Sequence, residues 1–181
     1  MTSMKALKIA AGLLAAAVVV VLALAAGKPN SYAVKRTVKI DAPPEKVFPY
    51  LEDPKKTLEW SPWEKKDPML KKTFSGAEKG KGAVYAWEGN REVGSGSLEI
   101  TESVPPRTVV MTLRFLKPMK DEATARYDVV PVAGGSEVTW SIAGESNFVS
   151  KVMCVFMDMD KMIGGEFQKG LDSLKAVVEK K

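Results

Sequence analysis

The sequence predicts an α+β fold in which one long C-terminal helix lies across a mostly antiparallel, curved sheet. Two patterns predict it. Over residues 147–181, Val152, Phe156, Met159, Ile163, Phe167, Leu171, Leu174 and Val178 recur every three or four positions, the spacing of one helical face. Between residues 70 and 143 the apolar residues alternate instead, in short runs parted by glycine and proline turns, as in strands joined by hairpins.

Residues 9–26 are an uninterrupted apolar run of eighteen residues, just long enough to cross a bilayer as a helix, with Lys5 and Lys8 before it. The run reads as an uncleaved membrane anchor or as a cleaved signal peptide, since Ala23-Leu24-Ala25 fits a small-x-small cleavage site. Its length favours the anchor. The short basic head favours an exported, extracytoplasmic (periplasmic) domain. Lys28, Lys35, Arg36 and Lys39 outnumber that head, which keeps a cytoplasm-facing domain as an alternative. The expected organisation is an anchor or signal segment over 1–27, a linker over 28–33 and one domain over 34–181.

Within the domain, residues 34–40 read as a strand with Val34, Val38 and Ile40 on one face. Pro43-Pro44-Glu45 opens a short helix over 44–51, and Asp53-Pro54 opens a second that ends near Trp60. Trp60 and Trp63 then flank a proline in a loop. Residues 70–75 form a strand, and 76–82 a glycine- and lysine-rich turn. Ala83, Tyr85 and Trp87 make one face of the next strand, which turns at residues 88–91. Residues 93–103 are a strand in which Gly94 and Gly96 signal a bend or a close approach. Val109, Met111, Leu113 and Phe115 share a face of the strand over 107–116. Strands over 122–130 and 137–143 follow, the last with Val138, Trp140 and Ile142 on one face.

Asn147 or Ser150 can cap the final helix. Its second half is one-sided, with Glu166, Lys169, Asp172 and Lys175 opposite the apolar stripe. Its first half, from 149 to 163, is apolar nearly all round, which predicts burial. Met153, Met157, Met159 and Met162 there act either as core filler or as an adaptable binding wall. Phe156 lies on the main stripe. Met153 and Met157, one turn apart and off that stripe, are expected on the wall of a cavity between this half and the sheet.

Composition excludes several classes. Apolar content of 45% and charged content of 27% are globular values. The net charge of +5 includes Lys5 and Lys8, and the remainder is too scattered to argue for nucleic acid. The chain has no histidine and one cysteine, Cys154, so a Ser-His-Asp triad, a Cys-His pair and a histidine-ligated metal are ruled out. No cofactor is expected. Asp158 and Asp160 point to different helix faces and read as solvated-edge carboxylates, with an inward, proton-transferring role as the alternative. Glu64, Asp67 and Glu88 read as turn and surface residues. Trp60 and Trp63 are either the aromatic rim of a pocket or a packing staple for the short helices. Trp87 and Trp140 are core or cavity wall. Gly164-Gly165 marks either a close contact or a tolerated weak point in the helix.

This order of elements resembles the START and birch-pollen-allergen superfamily, SRPBCC, in its bacterial polyketide cyclase/dehydrase-like branch. The residues that carry the resemblance are Ile40-Asp41-Ala42-Pro43-Pro44-Glu45-Lys46-Val47-Phe48, Asp53 with Trp60-Ser61-Pro62-Trp63, Trp87-Glu88-Gly89-Asn90, and the run from Phe167 to Lys175. The resemblance implies a helix-grip fold, with the sheet wrapped around the C-terminal helix and an apolar cavity between them. It implies no single activity, because the superfamily holds carriers, sensors and enzymes.

Three functions follow. The first is binding or carriage of a hydrophobic small molecule, lipid-like or polyketide-like. Its expected wall is Trp60, Trp63, Tyr85, Trp87, Met111, Phe115, Trp140, Met153, Phe156 and Met157. The second is a polyketide cyclase/aromatase-type enzyme that moves protons with side chains such as Tyr85, Arg114, Arg126 or Asp158. The third is a membrane-tethered module for a protein partner.

Overall fold

The computed structural model describes residues 2–180. Met1, the first residue of the expected anchor, and Lys181, the last of the expected helix, lie outside them. The chain runs α1 (Thr2–Ala26), β1 (Ser31–Ile40), α2 (Pro44–Val47), α3 (Pro49–Glu52), α4 (Pro54–Thr57), a 3-10 turn (Pro62–Lys65), β2 (Lys71–Gly76), β3 (Ala83–Glu88), β4 (Ser95–Val104), β5 (Thr108–Lys117), β6 (Asp121–Val132), β7 (Gly135–Glu145), α5 (Phe148–Phe156) and α6 (Met159–Glu179). The seven strands form one antiparallel sheet in the order β1-β7-β6-β5-β4-β3-β2. With α6 held against the curled sheet and short helices after the first strand, this is the helix-grip-like α+β architecture.

Proline dictates the short helices. Pro44, Pro49 and Pro54 each stand at a first helical position, where a missing N–H costs nothing, and Pro49 and Pro54 also cut off the turn before them. The helix expected over 44–51 is therefore two single turns. Asp53 caps α4 by accepting from the Lys55 N–H at 2.9 Å. Val47, Phe48 and Leu51 are buried and close one end of the sheet.

The pairing defines two ends. Ser31 opposes Glu145, Phe115 opposes Asp121, and both Lys117 and Glu88 oppose Ser95. The start of β1, the end of β7, the β5–β6 turn and the β3–β4 turn therefore share one end, which is also where α1 joins. The short helices close the opposite end, where β1 stops at Ile40.

The expected single helix over 147–181 is two helices, and its first half is not buried. Met157 is extended (φ −127°, ψ 134°) and ends α5. Asp158 is also extended and caps α6, accepting from the Lys161 N–H at 3.1 Å. The apolar periodicity runs across this break, so it gave no sign of it. Asn147 caps α5, accepting from the Ser150 N–H at 2.8 Å. No residue of α5 is buried, and α5 packs against the end of α1, not under the sheet. The burial that its apolar composition predicts is therefore not found: the break at Met157 and Asp158 takes α5 away from the sheet.

In α6 the expected stripe is buried: Phe167, Leu171, Leu174 and Val178 are each under 5% exposed. Burying each such side chain contributes ~1.5–3 kcal/mol. Two glycines let the helix come close. Gly164 lies under the Arg36 guanidinium, which reaches Asp160 with a two-pronged pair at 2.9 Å. A Cβ at Gly170 would sit 2.8 Å from Cζ3 of Trp140 and 3.0 Å from Cδ of Pro62.

Gly165, by contrast, has nothing within 4 Å of a built Cβ. Gly165→Ala should therefore stabilise the domain by about 1 kcal/mol through helix propensity. Gly170→Ala should lower stability despite the same propensity gain, because overpacking costs ~1–3 kcal/mol. Thermal melts of the two variants check this opposition of sign.

Candidate functional site

The inner faces of β3 to β7 do not meet α6 everywhere. Towards β3 and β4 the sheet curves away from the helix and leaves a cavity of about 330 Å³. β3 contributes Tyr85 and Trp87, β4 Leu98 and Ile100, and β5 Met111, Leu113 and Phe115. Ala125 and Tyr127 of β6, Trp140 and Ile142 of β7, and Ile163 and Phe167 of α6 complete the inner wall. Leu51, Leu58, Trp63 and Glu64 close it from the short-helix side, and Val93, Lys117 and Pro118 carry it to the end of the sheet where α1 joins.

Alternation explains this wall. On β5, Met111, Leu113 and Phe115 point in, while Arg114 points out and bonds Glu99 and Glu122, each at 3.1 Å. The Trp87 ring lies over Gly96 on the neighbouring strand, where an added Cβ would come within 2.8 Å of Cζ2 of the ring. Gly96 thus makes the close approach its sequence position signalled.

Six of the ten expected wall residues line the cavity: Trp63, Tyr85, Trp87, Met111, Phe115 and Trp140. Trp60 does not. It is 1% exposed, donates from Nε1 to the Tyr50 carbonyl at 3.0 Å, and meets Tyr127 and Trp140 edge-on at 5.8 and 5.5 Å. It is the staple of the short helices, not a rim. Met153, Phe156 and Met157 are not on this wall either. They are 40%, 72% and 41% exposed, on α5 or just after it, because the helix that was to carry them under the sheet breaks at Met157.

Polar groups at the cavity are few. Tyr85 donates to Glu64 Oε1 at 3.1 Å, and Glu64 also pairs with Lys72. Burial and then the Glu64 charge push the Tyr85 hydroxyl well above its ordinary pKa. It is therefore a hydrogen-bond donor at neutral pH and not a base. Tyr127 is 4% exposed, and burial alone pushes its hydroxyl up. Among the described residues, no side chain or backbone group bonds that hydroxyl. No sealed side-chain oxygen among the described residues lacks a partner, so this hydroxyl is open to the cavity that Tyr127 lines.

Sequence reading passed over Glu64 and Tyr127. In sequence Glu64 reads as a turn residue, and only the fold brings it to Tyr85. Tyr127 lies in the strand expected over 122–130, where its inward face was legible but its free hydroxyl was not. Of the other proton-transfer candidates, Arg126 pairs with Asp128 at 2.7 Å on the outer face, and Asp158 serves as a helix cap. Asp67 is more than a surface residue: it is 8% exposed and accepts from the Asn90 and Met69 N–H groups at 2.6 and 2.9 Å, holding the β3–β4 turn beside the cavity.

No curated protein sequence matches the chain at a significant level. A solved protein from Chromobacterium violaceum is similar with a TM-score of 0.58 and 18% identity, over 84% of this chain and 99% of that one. A protein from Rhizobium leguminosarum has a TM-score of 0.61 and 11% identity, over 83% and 96%. The di-domain ARO/CYC protein BexL, from the BE-7585A biosynthetic pathway, has a TM-score of 0.58 and 13% identity, over 86% of this chain and 52% of BexL. At these identities the likeness shows the fold. A family model described as polyketide cyclase / dehydrase and lipid transport matches residues 32–179. With most of its length matched by that model, and with the helix-grip-like fold, the chain belongs to the SRPBCC-type polyketide cyclase / dehydrase and lipid transport family.

Proposed function

We propose that this protein binds a hydrophobic small molecule between the sheet and α6, and that α1 holds it at a membrane. The observation that carries the reading is the wall itself: a mostly apolar and aromatic enclosure of about 330 Å³, with the Tyr85 and Tyr127 hydroxyls, Glu64, Glu92 and Lys117 among its few polar groups. That volume is at the lower end of small-molecule pockets, and a few placed polar groups in an apolar wall are their usual make-up. The ligand is an apolar body with one hydrogen-bond acceptor, set against the Tyr127 hydroxyl. α1 supports the second part, because among the described residues Ala6–Ala26 is long and apolar enough to cross a membrane. We favour the uncleaved anchor and an extracytoplasmic domain, on the charge and length arguments of the sequence.

A second reading, a cyclase-type enzyme, is favoured by one observation. Tyr85 and Glu64 place a proton donor and a carboxylate together on the cavity wall at 3.1 Å. Tyr85→Phe and Glu64→Gln should leave Nile red affinity unchanged under the binding reading. Loss of turnover of a poly-β-ketone thioester in the same variants would instead identify the enzyme.

Nile red titration with cavity-filling variants tests the main reading. Leu98 and Leu113 face each other across β4 and β5 on the wall. Leu98→Trp with Leu113→Trp should abolish Nile red binding with little change in melting temperature, since the rings enter open space. Leu171→Trp, in filled core at 0% exposure, should cost ~1–3 kcal/mol instead. A doubly filled variant that melts early and binds as before would count against the cavity. Tyr127→Phe should weaken a long-chain ketone by ~0.5–1.5 kcal/mol and leave the matching alkane unaffected; paired titrations measure this.

A further inference from the structure

α5 is apolar on faces that nothing in the protein covers. Val149, Met153 and Phe156 fall at i, i+4 and i+7 and are 55%, 40% and 72% exposed. Phe148 and Met157 extend the patch at 51% and 41%. The segment Phe148–Phe156 has no carboxylate and a single charge, Lys151. A soluble domain rarely leaves such a stripe bare.

What stands next to it identifies the partner. α5 packs against α1, where Ala25 in the last turn is wholly buried while most of the helix is exposed. The joint is pinned: Lys151 donates to the Asn30 side chain, and the Ser146 N–H donates to the Asn30 carbonyl at 2.8 Å. With α1 spanning a bilayer, an element held at its last turn lies at the level of the lipid headgroups. The strand register places the β5–β6 turn and the approach to β2 at this same end. There Met119 and Met69 are 38% and 85% exposed, next to the cavity residues Pro118 and Leu70. Charges nearby are mixed with an excess of lysine: Lys28, Lys71, Lys117, Lys120 and Lys151 stand against Asp121 and Glu145.

From this we infer that α5, with Met119 and Met69, is a membrane-interface surface, inserted in the bilayer that α1 crosses. It seats the cavity end of the sheet on lipid, so that an apolar ligand passes between membrane and cavity without crossing water. The inference rests on the reading of α1 as an anchor. The stripe matches an interfacial helix, whose apolar face lies at the headgroup boundary.

Depth-dependent quenching of the full chain in phosphatidylcholine vesicles tests it. In a Cys154→Ser background, Val149→Cys, Phe156→Cys and Met119→Cys are each labelled with the dye NBD. Val19→Cys in α1 reports on the anchor, and Ala133→Cys in the β6–β7 turn reports on the far end. The expected result is blue-shifted emission at 149, 156 and 119 that is quenched by shallow nitroxide lipids. Position 19 is quenched by deep nitroxides, and position 133 by neither. Quenching at 19 with aqueous emission at 149 and 156 overturns the docking and leaves the anchor standing. No quenching at 19 overturns both. Blue-shifted emission that ignores lipid nitroxides and grows with protein-to-lipid ratio shows a second copy on the patch, and also overturns the proposal.

Discussion

The stack of Trp140 on Phe167 is the contact on which the rest depends. The rings lie 3.9 Å apart between centroids and 7° from parallel, which clamps α6 to β7. Trp60 and Tyr127 close around Trp140 at 5.5 and 5.4 Å, so the short helices, the sheet and α6 meet in one aromatic cluster. Contacts of this kind add ~0.5–1.5 kcal/mol each beyond the area they bury. Gly170 is the geometric condition for them, because a side chain there would strike Trp140. Below the cluster the core is filled by Leu171 and Leu174. Beside it, where the sheet curves away, the aromatic walls stand apart. The cavity exists because the helix is fixed at one edge of the sheet and not at the other.

That division also explains the shape of the polar chemistry. Charged side chains of the sheet point outward and pair with one another, as Arg114 does with Glu99 and Glu122. Such exposed pairs contribute little to stability. On the inner wall charge is confined to the margins, at Glu64, Glu92 and Lys117, and tyrosine hydroxyls supply the donors further in, where a hydroxyl can be buried at modest cost. Tyr85 uses its donor on Glu64, whereas that of Tyr127 faces the cavity. An apolar guest with one acceptor is what such a wall can distinguish from a plain hydrocarbon.

Much of the fold was legible because strand alternation is a local signal. β3 matches its expected bounds, and the inward faces of β3, β5 and β7 follow directly from Tyr85 and Trp87, from Met111 and Phe115, and from Trp140. The final helix was legible only in part. Its stripe from Phe167 to Val178 is real, yet the same periodicity hid the break at Met157 and Asp158, because an N-cap aspartate looks like any surface acid. Apolar content around α5 predicts burial, and the structure leaves the helix half-exposed instead. Composition does not name the neighbour, which is the end of α1 and not the sheet. The Glu64–Tyr85 pair was not legible at all, since twenty-one residues separate the partners and only the curl of the sheet joins them.

The central claim is that the enclosed space belongs to an apolar ligand. Native mass spectrometry of the full chain, gently extracted from the membrane in which it was made, addresses that claim most directly. A mass excess corresponding to one apolar molecule per chain, lost on organic extraction with the fold intact, is the predicted result. A bare chain mass together with a stoichiometric protein partner would contradict the account and mark the fold as an interaction module.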